Sequence, residues 1–458
     1  MHSWIKDGKI PCFKAYDARG RVPDEMDAEL ARRIGLAYAQ VVVARRVVVG
    51  HDVRLSCPEI SAALIDGLNA AGVDVLTLGL CGTEEVYFAT AHLELDGGIM
   101  VTASHNPVDY NGMKFVREKS IPISSDTGLK EIEAAIVQGE LEESRRRGTV
   151  EPVEVREAYI EHLMGYVDGA RDLEPLRVVV NAGNGCAGAV MDLLERRLPF
   201  ELTKVFFEPD GSFPNGVPNP LLPENRDATA RVIKEHGADL GVAWDGDFDR
   251  CFLFDENAEF IEGYYIVGLL AEQMLERHRG AKIIHDPRLV WNTIEVVNAA
   301  GGVPVQCKSG HAFIKERMRA EDAVYGGEMS AHHYFREFSY CDSGMVPWML
   351  VARAICRRGK PLSELVGERI DRYPASGEIN RRVGDADAAL DGVLAQYKGK
   401  AVSLDTTDGI SLDLGDWRFN LRKSNTEPVV RLNVEARGDE KLMRVRTEEV
   451  LGVLERLS

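Results

Sequence analysis

No Cys-x-x-Cys pair occurs in this sequence. Its eight cysteines lie far apart, which argues against a zinc ribbon or a dithiol redox site and leaves reduced, packed thiols as the expectation. Long apolar runs are missing as well. The opening stretch MHSWIKDGKIPCF contains no uninterrupted hydrophobic segment, and the most apolar early run, VVVARRVVVG, is cut by Arg45 and Arg46. Neither secretion nor membrane spanning is indicated. Basic charge is scarce: 55 Lys and Arg against 73 Asp and Glu give a net charge of -18. That balance opposes nonspecific attraction to nucleic acid or anionic membrane and confines any cationic patch to a local site. No Gly/Ser, Gln/Asn or Pro tract interrupts the chain. The expectation is a folded cytoplasmic protein with no nucleic-acid or membrane partner.

What the chain does have is length and repetition. At 458 residues, 45% of them hydrophobic, it exceeds one compact core and divides into several domains. Three β-rich runs share a plan: RRVVVGHDVRLS from Arg45, LRVVVNAGNGCAG from Leu176 and AKIIHDPRLVWNT from Ala281. Each passes into a polar loop, then a helical stretch, then a second apolar strand ending in another polar loop: VTASHNP, VAWDGDFDR and YGGEMSAHH. Alternation of strand and helix predicts α/β units, and its recurrence predicts three related domains. The last segment differs: DWRFNLRKSNTEPVVRLNVEARG reads as two strands around a loop, and DEKLMRVRTEEVLGVLERL as a closing helix with Leu442, Val445, Leu451 and Leu454 on one face. The expected division is 1–150, 151–254, 255–368 and 369–458, the last an α+β domain whose start is marked by Pro374, Ser376 and Gly377 in YPASGEIN.

The residues able to do chemistry sit in those loops. In DGDFDRC, Asp245, Asp247 and Asp249 alternate after the apolar GADLGVAW. An extended loop can aim alternate carboxylates at one hard divalent cation, Mg²⁺ being the natural candidate; a solvated acidic turn is the alternative. An EF-hand is excluded because Arg250 stands where the sharp turn needs glycine and CFLFD then reads as a strand. In TASHNP, Ser104 lacks a G-x-S-x-G elbow, and on an extended chain His105 would point away from it, so a hydrolase nucleophile is disfavoured. A phosphoryl-carrying serine suits a neighbouring metal, because about -1.5 to -2 charges would need offsetting; a plain capped turn is the alternative. RKSNTEP offers Arg422, Ser424, Asn425 and Thr426, an inventory that suits a phosphate dianion but also an ordinary turn, with Arg431 on the following strand. In GGEMSAHH, Glu328 and Ser330 are spaced to reach a pair of sugar hydroxyls, and the adjacent His332 and His333 lack the partners of a transition-metal site.

In this order and at these separations, the loops TASHNP, DGDFDR, GEMSAHH and RKSNTEP resemble the α-D-phosphohexomutase family over essentially the whole chain. The likeness leans to its bacterial phosphomannomutase branch through CFKAYDARG, GTEEVYFAT, FPNGVPNPLLPE, GGEMSAHHYF and RFNLRKSNTEPVVRLNVE. The resemblance implies a four-domain α/β architecture, three related α/β domains and a C-terminal α+β domain around a central cleft. It implies interconversion of mannose 6-phosphate and mannose 1-phosphate through a phosphoserine at Ser104 and a bisphosphorylated hexose, which also serves as activator. Mg²⁺ would be held by Asp245, Asp247, Asp249 and the Ser104 phosphate. Arg250, Lys114, His105 and Arg19 would serve transfer. Tyr16, Arg288, His311, Glu328 and Ser330 would line the sugar site, and Arg422, Ser424, Asn425, Thr426 and Arg431 would hold the nonreacting phosphate. The sequence departs from the family pattern at Ala331, where many relatives carry glycine, at Arg288, where some carry lysine, and at Ala18. Partners are then small hexose phosphates; oligomeric state is not written in any of these motifs. Within the chemistry, a phosphoglucomutase or a dual-specificity enzyme is the close alternative. A noncatalytic sugar-phosphate binder is opposed by the intact Ser104, and a metal-dependent phosphatase by the separate cradle at Arg422.

Overall fold

Three consecutive valines set the layering of the first sheet. Val47 and Val49 pack with Leu30, Ile34 and Leu64 on one face, whereas Val48 packs with Val86, Ala89 and Met100 on the other. Side chains alternate along a strand, so an unbroken apolar run means that both faces are covered. The computed structural model describes residues 4–423 and 429–457 of the chain, which fall into two compact units.

The first unit comprises Met1–Phe260 and Tyr334–Gly359. Its larger sheet runs in the order Ala18–Arg21, Tyr110–Arg117, Gly97–Val101, Arg46–His51, Asp74–Leu80, Val150–Pro152. The inner strands are parallel, and Tyr110–Arg117 turns antiparallel at one side. Helix Ala28–Val42 is started by Asp27, whose side chain accepts from the Leu30 N–H, and it stops at Val43 in the left-handed region. In the second sheet Cys251–Phe254, Leu240–Trp244, Arg177–Asn181 and Glu201–Val205 lie side by side, the first pair antiparallel and the others parallel. The returning segment is built in deeply: helix Met345–Arg358 is buried from Met345 through Ile355, and Trp244 Nε1 donates to the Gly344 carbonyl at 2.8 Å.

The second unit comprises Ile261–His333 and Lys360–Ser458. Strand Lys282–His285 lies between Val303–Gln306 and Tyr325–Gly327, all parallel, with helices Gly263–Arg277, Trp291–Ala299 and His311–Glu321 interleaved along the chain. The C-terminal sheet is wholly antiparallel, in the order Ile379–Arg382, Val429–Ala436, Trp417–Lys423, Ile410–Asp413, Ser403–Asp405. Its core takes side chains from helices Ala386–Tyr397 and Glu440–Leu457. The closing helix corrects one expectation: its inward stripe is Met443, Thr447, Val450 and Leu454, and Val445 is 49% exposed. An i, i+4, i+7, i+11 series keeps to one face of a 3.6-residue helix, and Val445 falls outside it.

The threefold plan takes the same form each time. Arg46–His51 pairs in parallel with Gly97–Val101, Arg177–Asn181 with Leu240–Trp244, and Lys282–His285 with Tyr325–Gly327. The loops holding Ser104, Asp245 and Glu328 each leave the C-terminal end of the second strand, the end at which open α/β sheets present their ligand sites. Seven cysteines are buried, Cys356 is partly exposed, and no disulfide joins them among the described residues. Among the described residues no helix is long and apolar enough to cross a membrane.

Candidate active site

Ser104 is 2% exposed and takes a left-handed backbone with φ of 49°. Two anchors hold it there. Its N–H donates to Thr102 Oγ1 at 2.9 Å, and Thr102 donates in turn to Asp52 at 2.6 Å. The buried Arg54 guanidinium, paired with Asp52 at 3.4 Å, donates to four loop carbonyls: Ser104 at 2.9 Å, Asn106 at 2.6 Å, Pro107 at 2.7 Å and Tyr110 at 2.9 Å. A turn with so many inward carbonyls needs such a donor, because each unpaired buried carbonyl would be costly.

This backbone corrects the expectation that Ser104 and His105 face apart. The loop is not extended at Ser104, and His105 Nδ1 lies 3.1 Å from Ser104 Oγ. The Arg250 guanidinium also donates to that nitrogen. Burial first, then Arg250 and Arg19, press the His105 ring well below the ordinary imidazole value, so it is neutral. The Ser104 hydroxyl instead donates to Asp245 Oδ2 at 2.6 Å.

Asp245, Asp247 and Asp249 are all buried, and each offers an oxygen within 4.8 Å of the others. Their loop is a tight turn with Phe248 at φ of 44°, so the carboxylates converge through a reversal and not through extended alternation. Phe248 is seated against Gly82, where a Cβ would meet its ring at 2.0 Å. Only glycine permits that approach. Arg250 donates to Asp245 Oδ2 at 2.7 Å, and Lys114 Nζ reaches Asp247 at 2.6 Å and Asp249 at 2.5 Å. Thr83 Oγ1 donates to Asp247 at 2.5 Å. Burial pushes Asp245 up against the pull of Arg250. Asp247 is held below the carboxylate range because Lys114 and Thr83 outweigh burial and Asp249. Burial likewise works against the Lys114 charge, but Asp247 and Asp249 keep it above the ordinary lysine value.

The set fits a metal ion. Asp247 Oδ1 is buried with no hydrogen-bond partner among the described residues, and three carboxylates face two cationic side chains, which leaves a negative excess that a hard cation would neutralise. Arg19, beside the loop, donates to Asp17 and Asn106 at 2.7 Å each, and Tyr16 contributes to its electrostatic surroundings.

In the second unit Arg288 is 3% exposed and tied to four groups: Asp286 at 2.8 Å, Glu328 at 3.4 Å, Ser330 at 3.3 Å and Glu378 at 3.3 Å. Glu328 also accepts from the Gly310 N–H at 2.9 Å, at the start of the helix that carries His311. The His311 and His332 rings are 6.5 Å apart, and His332 Nδ1 lies 3.7 Å from Glu328. Arg422 and Arg431 sit directly opposite each other on neighbouring antiparallel strands, and Glu378 bridges them at 3.0 Å each. Ser424, Asn425 and Thr426 lie outside the described residues.

Residues 11–143, 157–259 and 262–373 match the α/β/α domains I, II and III of phosphoglucomutase/phosphomannomutase, and 378–451 match its C-terminal domain. The chain belongs to this family. Among curated family members, the phosphomannomutase of Salmonella montevideo is 58% identical over 452 residues, covering 97% of this chain and 99% of the relative. A Xanthomonas campestris pv. campestris protein named phosphohexose mutases is 60% identical over 445 residues, again covering 97% and 99%. The crystal structure of a family protein from Burkholderia thailandensis superposes with a TM-score of 0.86 at 34% identity, covering 97% of both chains.

The phosphohexomutase motifs therefore fall into two clusters. Ser104, His105, Lys114, Arg19 and the aspartate trio gather in the first unit; Arg288, Glu328, Ser330, Arg422 and Arg431 gather in the second, with His311 alongside Glu328. Sequence reading did not mark Arg54, Thr83, Asp286 or Glu378. Arg54 and Thr83 occur within stretches that drew notice for their strands or for the family likeness, and nothing local shows that their side chains serve loops far away in the chain.

Proposed function

We propose that this chain interconverts mannose 6-phosphate and mannose 1-phosphate. The observation that carries the reading is the Ser104 hydroxyl, buried and donating at 2.6 Å to one of three convergent aspartates. The 53–58% identical relatives from Salmonella, Escherichia and Vibrio, each named a phosphomannomutase, support the substrate. The division 1–150, 151–254, 255–368 and 369–458 belongs to the same reading, supported by family matches that change domain at 143/157, 259/262 and 373/378, as does a cytoplasmic location.

In this mechanism Ser104 carries the phosphoryl group. Transfer breaks the bond from phosphorus to Ser104 Oγ and forms one from phosphorus to the free sugar oxygen. The sugar hydroxyl loses its proton to the site and the site returns one proton to Ser104 Oγ, which leaves as the hydroxyl that donates to Asp245, so the step neither gains nor loses protons. The bisphosphorylated hexose turns around, and the reverse step returns its other phosphate to Ser104. Mg²⁺ on Asp245, Asp247, Asp249 and the phosphoserine would neutralise charge on the moving group. Lys114 is held protonated by Asp247 and Asp249, so it serves as a charged donor. His105 is neutral, and its Nδ1 faces both Ser104 and Arg250. Arg250 and Arg19 add positive charge, with Tyr16 beside them. Arg288, His311, Glu328 and Ser330 orient the sugar, and Arg422, Ser424, Asn425, Thr426 and Arg431 retain the phosphate that is not reacting. Such alignment plus charge stabilisation is what phosphoryl transfer requires.

A second reading, dual specificity for mannose and glucose phosphates, is favoured by the 60% identical relative named phosphohexose mutases. Turnover of mannose 1-phosphate and glucose 1-phosphate, with the matching bisphosphate present, separates the two. A mannose preference above about tenfold in kcat/KM supports the first, and near-equal values support the second. Ser104→Ala is expected to lower turnover at least about 10³-fold with an unchanged circular dichroism spectrum. Unchanged turnover in that variant would remove both readings.

A further inference from the structure

Like charges directly opposite on neighbouring strands repel, yet Arg422 and Arg431 occupy such a pair. The strand on the far side of Val429–Ala436, Ile379–Arg382, brings the compensating charge: Glu378 immediately precedes it. Glu378 Oε1 lies 3.0 Å from Arg431 Nη1, and Oε2 lies 3.0 Å from Arg422 Nη2 and 3.3 Å from Arg288 Nη1. Among the described residues it is the one carboxylate shared by all three guanidiniums. Burial acts to raise its pKa, but Arg288, Arg422 and Arg431 outweigh that and hold it at about 2, so it is an anion at any working pH.

The cradle is therefore occupied by an anion of the chain's own, and imperfectly. Arg288 Nε and Arg422 Nε are buried without a hydrogen-bond partner among the described residues. Two carboxylate oxygens cannot serve the donors that three guanidiniums present; a phosphate dianion has three terminal oxygens and a higher charge.

We propose that Glu378 is an exchangeable counter-anion: it holds Arg422 and Arg431 together, with Arg288 of the sugar site tied alongside, when no substrate is bound, yields Arg422 and Arg431 to the substrate's nonreacting phosphate, and reclaims them on its release. This rests on the proposed function, in which the cradle grips one phosphate, releases it so that the bisphosphate can turn, and then grips the other. With no carboxylate shared between them, Arg422 and Arg431 would bind the first phosphate too firmly to let it go within a turnover, whereas Arg288 keeps its own partner Asp286 at 2.8 Å. Glu378 reduces the net gain on binding and stabilises the empty cradle during reorientation. It is a positioning residue for the arginines and does not take part in the transfer itself.

The test uses the full chain. Inorganic phosphate is titrated calorimetrically into wild type, Glu378→Gln and Arg422→Ala, and kcat and KM for mannose 1-phosphate are measured on the first two. Glu378→Gln is expected to bind phosphate at least about fivefold more tightly and to lower KM and kcat together, because release becomes slow. A purely structural carboxylate would give the opposite, weaker phosphate binding and a higher KM, and that result or an unchanged affinity overturns the proposal. If Glu378→Gln does not fold, Glu378→Asp decides: its shorter reach cannot bridge both strands, so phosphate should bind more tightly than in wild type, and equal or weaker binding overturns the proposal. The reading beneath it fails separately. If Arg422→Ala binds phosphate as wild type does, the cradle itself is misassigned, whatever Glu378→Gln shows.

Discussion

The Ser104 hydroxyl donates its hydrogen bond to an aspartate 141 residues away, although a histidine nitrogen lies 3.1 Å from the same oxygen. The neutral His105 ring already accepts from Arg250, whereas Asp245 Oδ2 accepts from Ser104 beside its two bonds from Arg250, so the charge-assisted bond to the carboxylate wins. Asp247 divides its oxygens: one serves Lys114 and Thr83, and the other has no hydrogen-bond partner among the described residues. Asp247→Asn should raise the Mg²⁺ concentration for half-maximal turnover about 10–100-fold and weaken direct Mn²⁺ binding measured by electron paramagnetic resonance. Wild-type values in both assays would remove Asp247 from the metal set. The trio was legible because its members are two residues apart. Arg54 was not, because it comes beside the four carbonyls it serves, some 50 residues on in the chain, only after two strands have paired in parallel.

The helix Thr83–His92 shows how an element can be shaped by a site it barely touches. Its first turn carries Thr83, Glu84 and Glu85, all buried, where a surface helix would expose its acidic start to water. Gly82 admits Phe248, Thr83 meets Asp247, and Glu84 accepts from the Tyr159 hydroxyl. Burial is the main cause of a Glu84 pKa well above the ordinary value. The folded chain keeps that proton to a higher pH than the unfolded chain does. Its stabilising share is complete below the ordinary carboxylate pKa and fades as pH rises from there toward the folded value. Glu84→Gln removes the titration. Its melting midpoint should exceed wild type by about 2 °C or more at pH 8 and by less at pH 4.5; a gap that does not vary with pH would exclude this account. Element types were readable from periodicity alone, down to the two strands around residues 424–428. Facing was less so: Val445 looked inward on the sequence and lies outward, because the closing helix meets its sheet along the Met443–Val450 stripe.

At the scale of the whole molecule, the chain passes between its two units three times, after Phe260, His333 and Gly359. The segment Tyr334–Gly359 is interior to the first unit: Trp348 packs 6.1 Å from Phe200, and Gly344 receives the Trp244 indole. Residues 1–260 expressed alone should lack fixed tertiary packing, with weak near-ultraviolet circular dichroism and strong dye binding. Joining 334–359 through a flexible linker should restore a native spectrum. A native-like 1–260 fragment would mean that the returning segment is dispensable. The threefold strand-loop plan was visible from one end of the sequence to the other, since it repeats locally. The return of 334–359 was not, because Trp244 and Gly344 are 100 residues apart and neither carries a mark of the other.

That interleaving has a bearing on how the protein is made. Translation adds about 5–20 residues per second, so the first unit, whose last piece ends at Gly359, waits on the order of ten seconds after Phe260 has been joined before its interior can be completed. During the same interval residues 261–333 are being joined while their own partners, 360–458, are still unwritten, and a nascent chain with two unfinished interiors at once is a natural client for chaperones.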